Sequence, residues 1–218
     1  MQRGTENESS RLSTPAEFSV QAYFQTLTRA IPQIPYASIQ QIIAAIMQAF
    51  EKDRTIFVFG NGGSAATASH VMCDLSKGTI GSSDSPRLKV MSFADNVPLL
   101  TAWANDAGYE HVFSQQVRNF VRRGDVVLAI SGSGNSPSII EALKTARDLG
   151  AITLGMAGFQ GGEMRALCDI CAVVPSDNIQ VVEDLHHAIA HAILLAVRQM
   201  LCSHPKKVAA GASAASSE

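Results

Sequence analysis

Five short apolar runs constrain this chain more than any other feature: Thr55–Phe59, Leu88–Phe93, Val126–Ile130, Ile152–Met156 and Ile170–Val174. Each is nearly continuous in apolar character rather than alternating. That suits strands buried on both faces, as in a parallel sheet covered by helices. Helical patterns separate them. Glu17–Ile31 and Ala37–Glu51 precede the first run, Ser64–Ser76 follows it, Ser136–Leu149 follows the third, and a long one extends from Ile179 to Met200. In Ser136–Leu149, residues Ile139, Ile140, Leu143 and Ala146 form one stripe and Gly150 supplies the stop. The alternation predicts a doubly wound α/β domain, in which ligands bind at the carboxyl ends of the strands.

Length and composition agree. The 218 residues suffice for one such domain, expected over 17–202, between flexible tails at 1–16 and 203–218. Hydrophobic residues make up 46% and charged residues 17%, a globular balance. The net charge of −2 lacks the basic excess of a general nucleic-acid binder. No apolar run of about 18 residues and no signal-like N-terminus is present, which predicts a cytoplasmic protein with no membrane partner. Cys168 and Cys171 form a C-x-x-C at the start of an apolar run and read as core thiols. Trp103 likewise reads as core or interface.

Two loops carry chemistry. Gly60-Asn61-Gly62-Gly63-Ser64 lies between the first run and a helix. Its glycines permit close backbone approach, and the helix start offers free N–H groups at a positive dipole end. Gly60, Gly62 and Ala65 match a dinucleotide fingerprint in spacing, but only Asp95 follows the next run as a loose acidic candidate. The second loop, Ser131-Gly132-Ser133-Gly134-Asn135-Ser136, brings three hydroxyls and several backbone N–H groups to another helix start. Neutral donors of this kind suit a phosphate monoester. One such loop could be an ordinary turn with Ser136 as cap; two at strand ends in one domain point to an anion site.

A polar constellation accompanies them. His70 and Asp74 are four apart, and Glu183, His187 and His191 recur at i, i+4, i+8 on the last helix, whereas His186 takes another face. Polar residues on a largely apolar helix need partners. Two helices could therefore present His70, Asp74, Glu183 and His191 to one site. The cluster reads either as an acid/base pair, Asp74 with His191, or as a Zn²⁺ site with His and carboxylate ligands.

The stretches "FVFGNGGSAATASHVMCDLSKG", "NDAGYEHVFSQQV", "GDVVLAISGSGNSPSIIEALKTARDLG" and "VVEDLHHAIAH" resemble the sugar isomerase (SIS) domain family, in its phosphoheptose isomerase branch, over about residues 18–200. The resemblance implies a three-layer αβα sandwich with a five-stranded parallel sheet, N-terminal helices and a long C-terminal helix. It implies a homotetramer with sites at subunit boundaries. It also implies that Ser64, Ser131, Ser133 and Ser136 grip phosphate beside Asn61, Gly62, Gly63 and Gly132, with Asp95, Asn105 and Glu183 near the sugar. Asp74 and His191 then match the catalytic pair, and His70, Asp74, Glu183 and His191 the metal positions. The implied reaction is isomerisation of sedoheptulose 7-phosphate to a heptose 7-phosphate. The chain departs from the family pattern where Asp74 replaces Glu, Glu183 replaces Gln, Gln180 replaces Asp, and Gly78 replaces Arg beside Lys77. Two other activities stay open on sequence grounds: a non-catalytic protein binding a partner such as the replication initiator, and a sugar-phosphate sensor.

Overall fold

The computed structural model describes residues 19–82 and 85–203. The tails expected at 1–16 and 203–218 lie outside it, apart from Ser203, which ends the last helix. The five runs form five strands: β1 (Thr55–Gly60), β2 (Lys89–Ser92), β3 (Val126–Ser131), β4 (Ile152–Ala157) and β5 (Ile170–Val173). All pair in parallel, in the order β2-β1-β3-β4-β5. Along β1, Ile56 and Val58 join one apolar core while Phe57 and Phe59 join the other, so the strand is buried on both faces.

The helices are α1 (Val20–Ala30), α2 (Tyr36–Glu51), α3 (Gly63–Cys73), α4 (Val97–Ala107), α5 (Val112–Phe120), α6 (Pro137–Asp148), the single turn α7 (Met164–Leu167) and α8 (Ile179–Ser203). One core lies under α2, α3 and α8; the other lies under α5 and α6 and holds the stacked rings of Phe57, Phe59, Phe93 and Phe113. This is the expected three-layer sandwich. The apolar runs did not announce α4, α5 or α7. α8 is long and apolar enough to cross a membrane by length and composition. Its apolar stripe of Leu185, Ile189, Ile193, Val197 and Leu201 is instead buried in the first core. Cys168 and Cys171 are half-buried free thiols at the second core, and Trp103 packs there too. Burial and a hydrogen bond to Cys171 push the Cys168 thiol up, so it is an inert thiol rather than a thiolate.

The strand order positions the site. From β1 the chain moves outward to β2, then returns across β1 to β3 and continues the other way. β1 and β3 are therefore neighbours that diverge in direction of winding, with Gly60 registered against Ile130. The loops leaving their carboxyl ends are the two Gly/Ser-rich loops. Topology thus sets both side by side at the switch point, where such sheets bind ligands.

Candidate active site

Both helices that leave the switch point start without a side-chain cap. Gly62, at φ +55°, caps α3 with no side-chain oxygen, and the hydroxyl of Ser136 makes no capping bond to α6. Elsewhere Ser19, Asn96 and Asn178 cap α1, α4 and α8 through their side chains. In the first turns, the N–H groups of Ser64, Ala65 and Ile139 bond to the carbonyls of Asn61, Gly62 and Ser136, and Pro137 has none, so the N–H groups of Gly63 and Ser138 are the ones left to face an anion. Ser136 occupies the N-cap position of α6 with its hydroxyl uncommitted to the helix.

The second loop is held rigid from within and below. Ser131 Oγ accepts from Gly134 N at 3.2 Å, and Ser133 Oγ accepts from Asn135 N at 3.2 Å. Asn135 Oδ1 accepts from Glu163 N at 2.9 Å, and Gly134 O accepts from Met164 N at 3.0 Å. Gly134 has φ +67°, and a Cβ there would stand 2.1 Å from the Gly161 carbonyl oxygen, so only glycine closes this contact. In the first loop, Asn61 Nδ2 donates to Ser138 Oγ at 2.9 Å and so bridges to α6, while Tyr109 Oη donates to Asn61 Oδ1 at 2.9 Å. Ser64 is buried in the first turn of α3.

The polar constellation is a seam between α3 and α8. At its start, a Cβ on Gly63 would stand 2.8 Å from Glu183 Oε1. One turn on, Thr67 Oγ1 and His187 Nδ1 are 3.2 Å apart. Next, His70 Nε2 and His191 Nε2 are 2.9 Å apart, with Asp74 Oδ2 3.2 Å from the first and 3.9 Å from the second. At the end, Gly78 closes on Leu194. The two helices run in the same direction. Asp74 opens a π turn (Asp74–Gly78) at the end of α3, a local widening of the helix common at functional sites.

His70, Asp74 and His191 form a group whose ligand atoms lie within 4.8 Å of one another. Asp74 Oδ2 is buried and has no hydrogen-bond partner, and two imidazole nitrogens face each other beside it. An acceptor left unpaired there is costly unless a cation or a shared proton satisfies it. These donors fit a zinc ion. Of the four metal residues expected from sequence, three come together; Glu183 stays with Gly63 at the first loop.

Asp95 follows β2 and its Oδ1 accepts from Ser69 on α3 and from Ser92 at 3.2 Å. That ties the end of β2 to α3. Asn105 is exposed on α4, its amide donating to its neighbour Asp106 at 2.7 Å; the structure does not join it to the loops. Lys77 is exposed. Sequence reasoning did not single out Thr67, Ser138 or Tyr109, though Ser138 extends the second Ser-rich loop and Tyr109 lies in a quoted motif. His187 stood on the right face by spacing alone.

Comparison with known proteins now settles kinship. Residues 21–158 match the SIS domain family. The chain belongs to that family. A phosphoheptose isomerase of Pelobacter propionicus is 37% identical over 185 residues, covering 84% of this chain and 94% of the relative. The structure of a phosphoheptose isomerase from Neisseria gonorrhoeae superposes with a TM-score of 0.77 at 31% identity, over 83% of this chain and 97% of that one. One from Francisella tularensis does so with a TM-score of 0.78 at 28% identity, over 83% and 96%. Within the SIS family the chain stands in the phosphoheptose isomerase branch.

Proposed function

We propose that this protein is an aldose–ketose isomerase of a sugar phosphate, and that it converts sedoheptulose 7-phosphate to D-glycero-D-manno-heptose 7-phosphate through an enediol. The observation that carries the reading is the seam. It begins at an anion-type helix start and leads within about 16 Å, at 1.5 Å per helical residue, to an acid/base cluster. An extended seven-carbon phosphate needs both ends.

The second loop, with Ser131, Gly132, Ser133 and Ser136, and the first, with Asn61, Gly62, Gly63 and Ser64, bind the phosphate through backbone N–H groups and hydroxyls. Glu183 stands at the border between phosphate and sugar, and Asp95 and Asn105 are assigned to the sugar. Asp74 takes the proton from C1 of the ketose. The electron pair forms the C1–C2 double bond of the enediol, and the C2 oxygen takes a proton from His191. Return of a proton to C2 and loss of the C1 hydroxyl proton give the aldose. Asp74 and His191 lie close enough to exchange these roles within one pocket. In the other use of the same cluster, in place of this proton transfer, His70, Asp74 and His191 would hold a zinc ion, which would supply a Lewis acid for the sugar carbonyl. The exposed apolar side chains of Val20, Phe24 and Tyr36 support assembly into a homotetramer, and the reading places the enzyme in the cytoplasm. A scaffold or sensor has no need of the seam.

The test is incubation with sedoheptulose 7-phosphate in deuterated water, followed by NMR. Aldose signals carrying deuterium at C2, absent with His191→Ala, are expected. Saturable binding without exchange or aldose would reject this substrate.

A further inference from the structure

The C-x-x-C pair has no part in the isomerisation. Cys168 and Cys171 flank a bend at Asp169, and Asp169 Oδ2 pins that bend to β4 by accepting from Thr153 N at 2.8 Å. Cys168 ends α7, and Cys171 lies in β5, registered against Gly155 of β4. Gly155 has no side chain, and sulfur occupies the space. A Cβ there would stand 2.8 Å from Cys168 Sγ and 3.1 Å from Cys171 Sγ. Both sulfurs crowd one point, and both residues are half-buried free thiols that a small reagent can reach.

The two thiols are unequal. A hydrogen bond from Cys168 holds the Cys171 thiol below its ordinary value, against burial and with help from the Arg165 guanidinium. Cys168 stays protonated and inert while Cys171 keeps its charge. A thiolate beside a protonated thiol is the arrangement in which a dithiol is oxidised stepwise.

We propose that Cys168 and Cys171 are a peroxide-sensitive pair whose disulfide loosens the hold of α7 on the second loop. The Cys171 thiolate attacks one oxygen of hydrogen peroxide. The O–O bond breaks, hydroxide leaves, and Cys171 becomes a sulfenic acid. Cys168 Sγ then attacks Cys171 Sγ; the S–S bond forms, the S–O bond breaks, and the Cys168 proton leaves with the hydroxyl as water. Two thiols and one peroxide give one disulfide and two waters.

A disulfide is shorter than the contact between two free sulfurs, so its closure has to move one of the residues. Cys171 is held in the ladder to β4, whereas α7 is a single turn, so α7 gives way. Its closing bond, from Cys168 N to Met164 O at 3.1 Å, passes the movement to Met164, whose methyl group shares the space over Gly155. Met164 N and Glu163 N are the donors that hold Gly134 O and Asn135 Oδ1 in the second loop. An effect on sugar-phosphate turnover rests on the reading of that loop as a phosphate site; the disulfide and the loosening do not.

The test treats the reduced full chain with hydrogen peroxide, alkylates the remaining thiols and maps them by peptide mass spectrometry. A Cys168–Cys171 disulfide that dithiothreitol reverses is expected. Hydrogen exchange of the Glu163 and Met164 amides should be about tenfold faster in the oxidised chain than in the reduced one, and peroxide should leave it unchanged in Cys171→Ser. The proposal is overturned if Cys171 goes on to sulfinic acid unbridged, if either residue bridges to Cys73 or Cys202, or if both stay free once the exposed Cys73 is oxidised. A disulfide that leaves the two amides unchanged overturns it too. If Cys171→Ser does not fold, dithiothreitol must restore slow exchange in the oxidised wild type, or the proposal fails. Faster exchange with undiminished turnover would support the disulfide device and refute the phosphate role of the second loop.

Discussion

Two adjacent histidines on α8 meet opposite fates. His186 turns toward the sheet among Val182, Leu185 and Ile189, is 1% exposed, and has no hydrogen-bond partner on either ring nitrogen. Burial pushes it down to about 4, so it is a neutral core side chain at ordinary pH; the nearby Ala157 backbone opposes the shift without meeting bonding geometry. His187, one residue on and about 100° around the helix, faces α3 with a partner at Nδ1 and two imidazoles beside it. The same side chain becomes packing on one face and chemistry on the other. What decides is the neighbour across the interface: an apolar sheet in one case, a helix carrying Thr67, His70 and Asp74 in the other.

The comparison breaks most sharply at the seam's far end. Asp74→Asn keeps the shape of the carboxylate and removes its basicity. Turnover should fall by about 10²–10⁴. The melting temperature should change little, because the amide keeps the shape of the carboxylate and an oxygen within reach of His70 Nε2, which stands 3.2 Å from Asp74 Oδ2. A loss of stability without loss of turnover would make the seam structural, like the opposite face.

The core face should show its character in pH dependence. His186 titrates near 6.5 in the unfolded chain and near 4 in the folded one. Between these values the unfolded state binds the extra proton, so stability falls as pH falls through that window. The total is about 3 kcal/mol at 1.36 kcal/mol per unit. Denaturant titrations from pH 7 to pH 4 should show this loss in the wild type and its absence in His186→Leu. Equal pH dependence in both would mean that His186 reaches solvent or a partner.

How much of this was readable beforehand depends on the range of the interaction. The central strands β1, β3 and β4 are buried on both faces and reveal themselves in five residues, so the sheet was legible, although its edge strand β2 leaves Lys89 and Met91 exposed. α5 buries Val112, Phe113, Ser114, Gln116 and Val117 in nine residues, too short a span, with two polar residues among the buried ones, for a helical period to stand out. Within a helix, i and i+4 spacing paired His70 with Asp74 and aligned Glu183, His187 and His191. The register between α3 and α8 is set by tertiary packing, through the close approach at Gly63 and Gly78, and no local pattern encodes it. Spacing therefore aligned Glu183 with His187 and His191 but did not say which residue of α3 each would meet; the Glu183 carboxylate comes to rest beside Gly63.

Glu183 sharpens the contrast inside the seam itself. A carboxylate over the first turn of α3 is favourable to the empty helix end and unfavourable to a phosphate arriving there. Glu183→Gln should lower KM for the sugar phosphate about two- to fivefold, matching 0.3–1 kcal/mol at a helix terminus. The gain should shrink as salt is raised. A rise in KM would instead assign Glu183 a direct bond to a sugar hydroxyl.

The smallest effect on turnover is expected at the point where the faces are told apart. Thr67→Val is close to isosteric, so the buried packing of Thr67 survives while the acceptor for His187 Nδ1–H is lost. The hydroxyl's own bond to the Gly63 carbonyl is lost with it, so the stability cost should be about 2 kcal/mol, at about 1 kcal/mol for each neutral hydrogen bond. Nitrogen NMR of the ring should show His187 passing from a single Nδ1–H tautomer to a mixture. If the tautomer persists in Thr67→Val, then His70 and His191 orient the ring by contact, and the two faces of α8 differ through aromatic packing and not through hydrogen bonding.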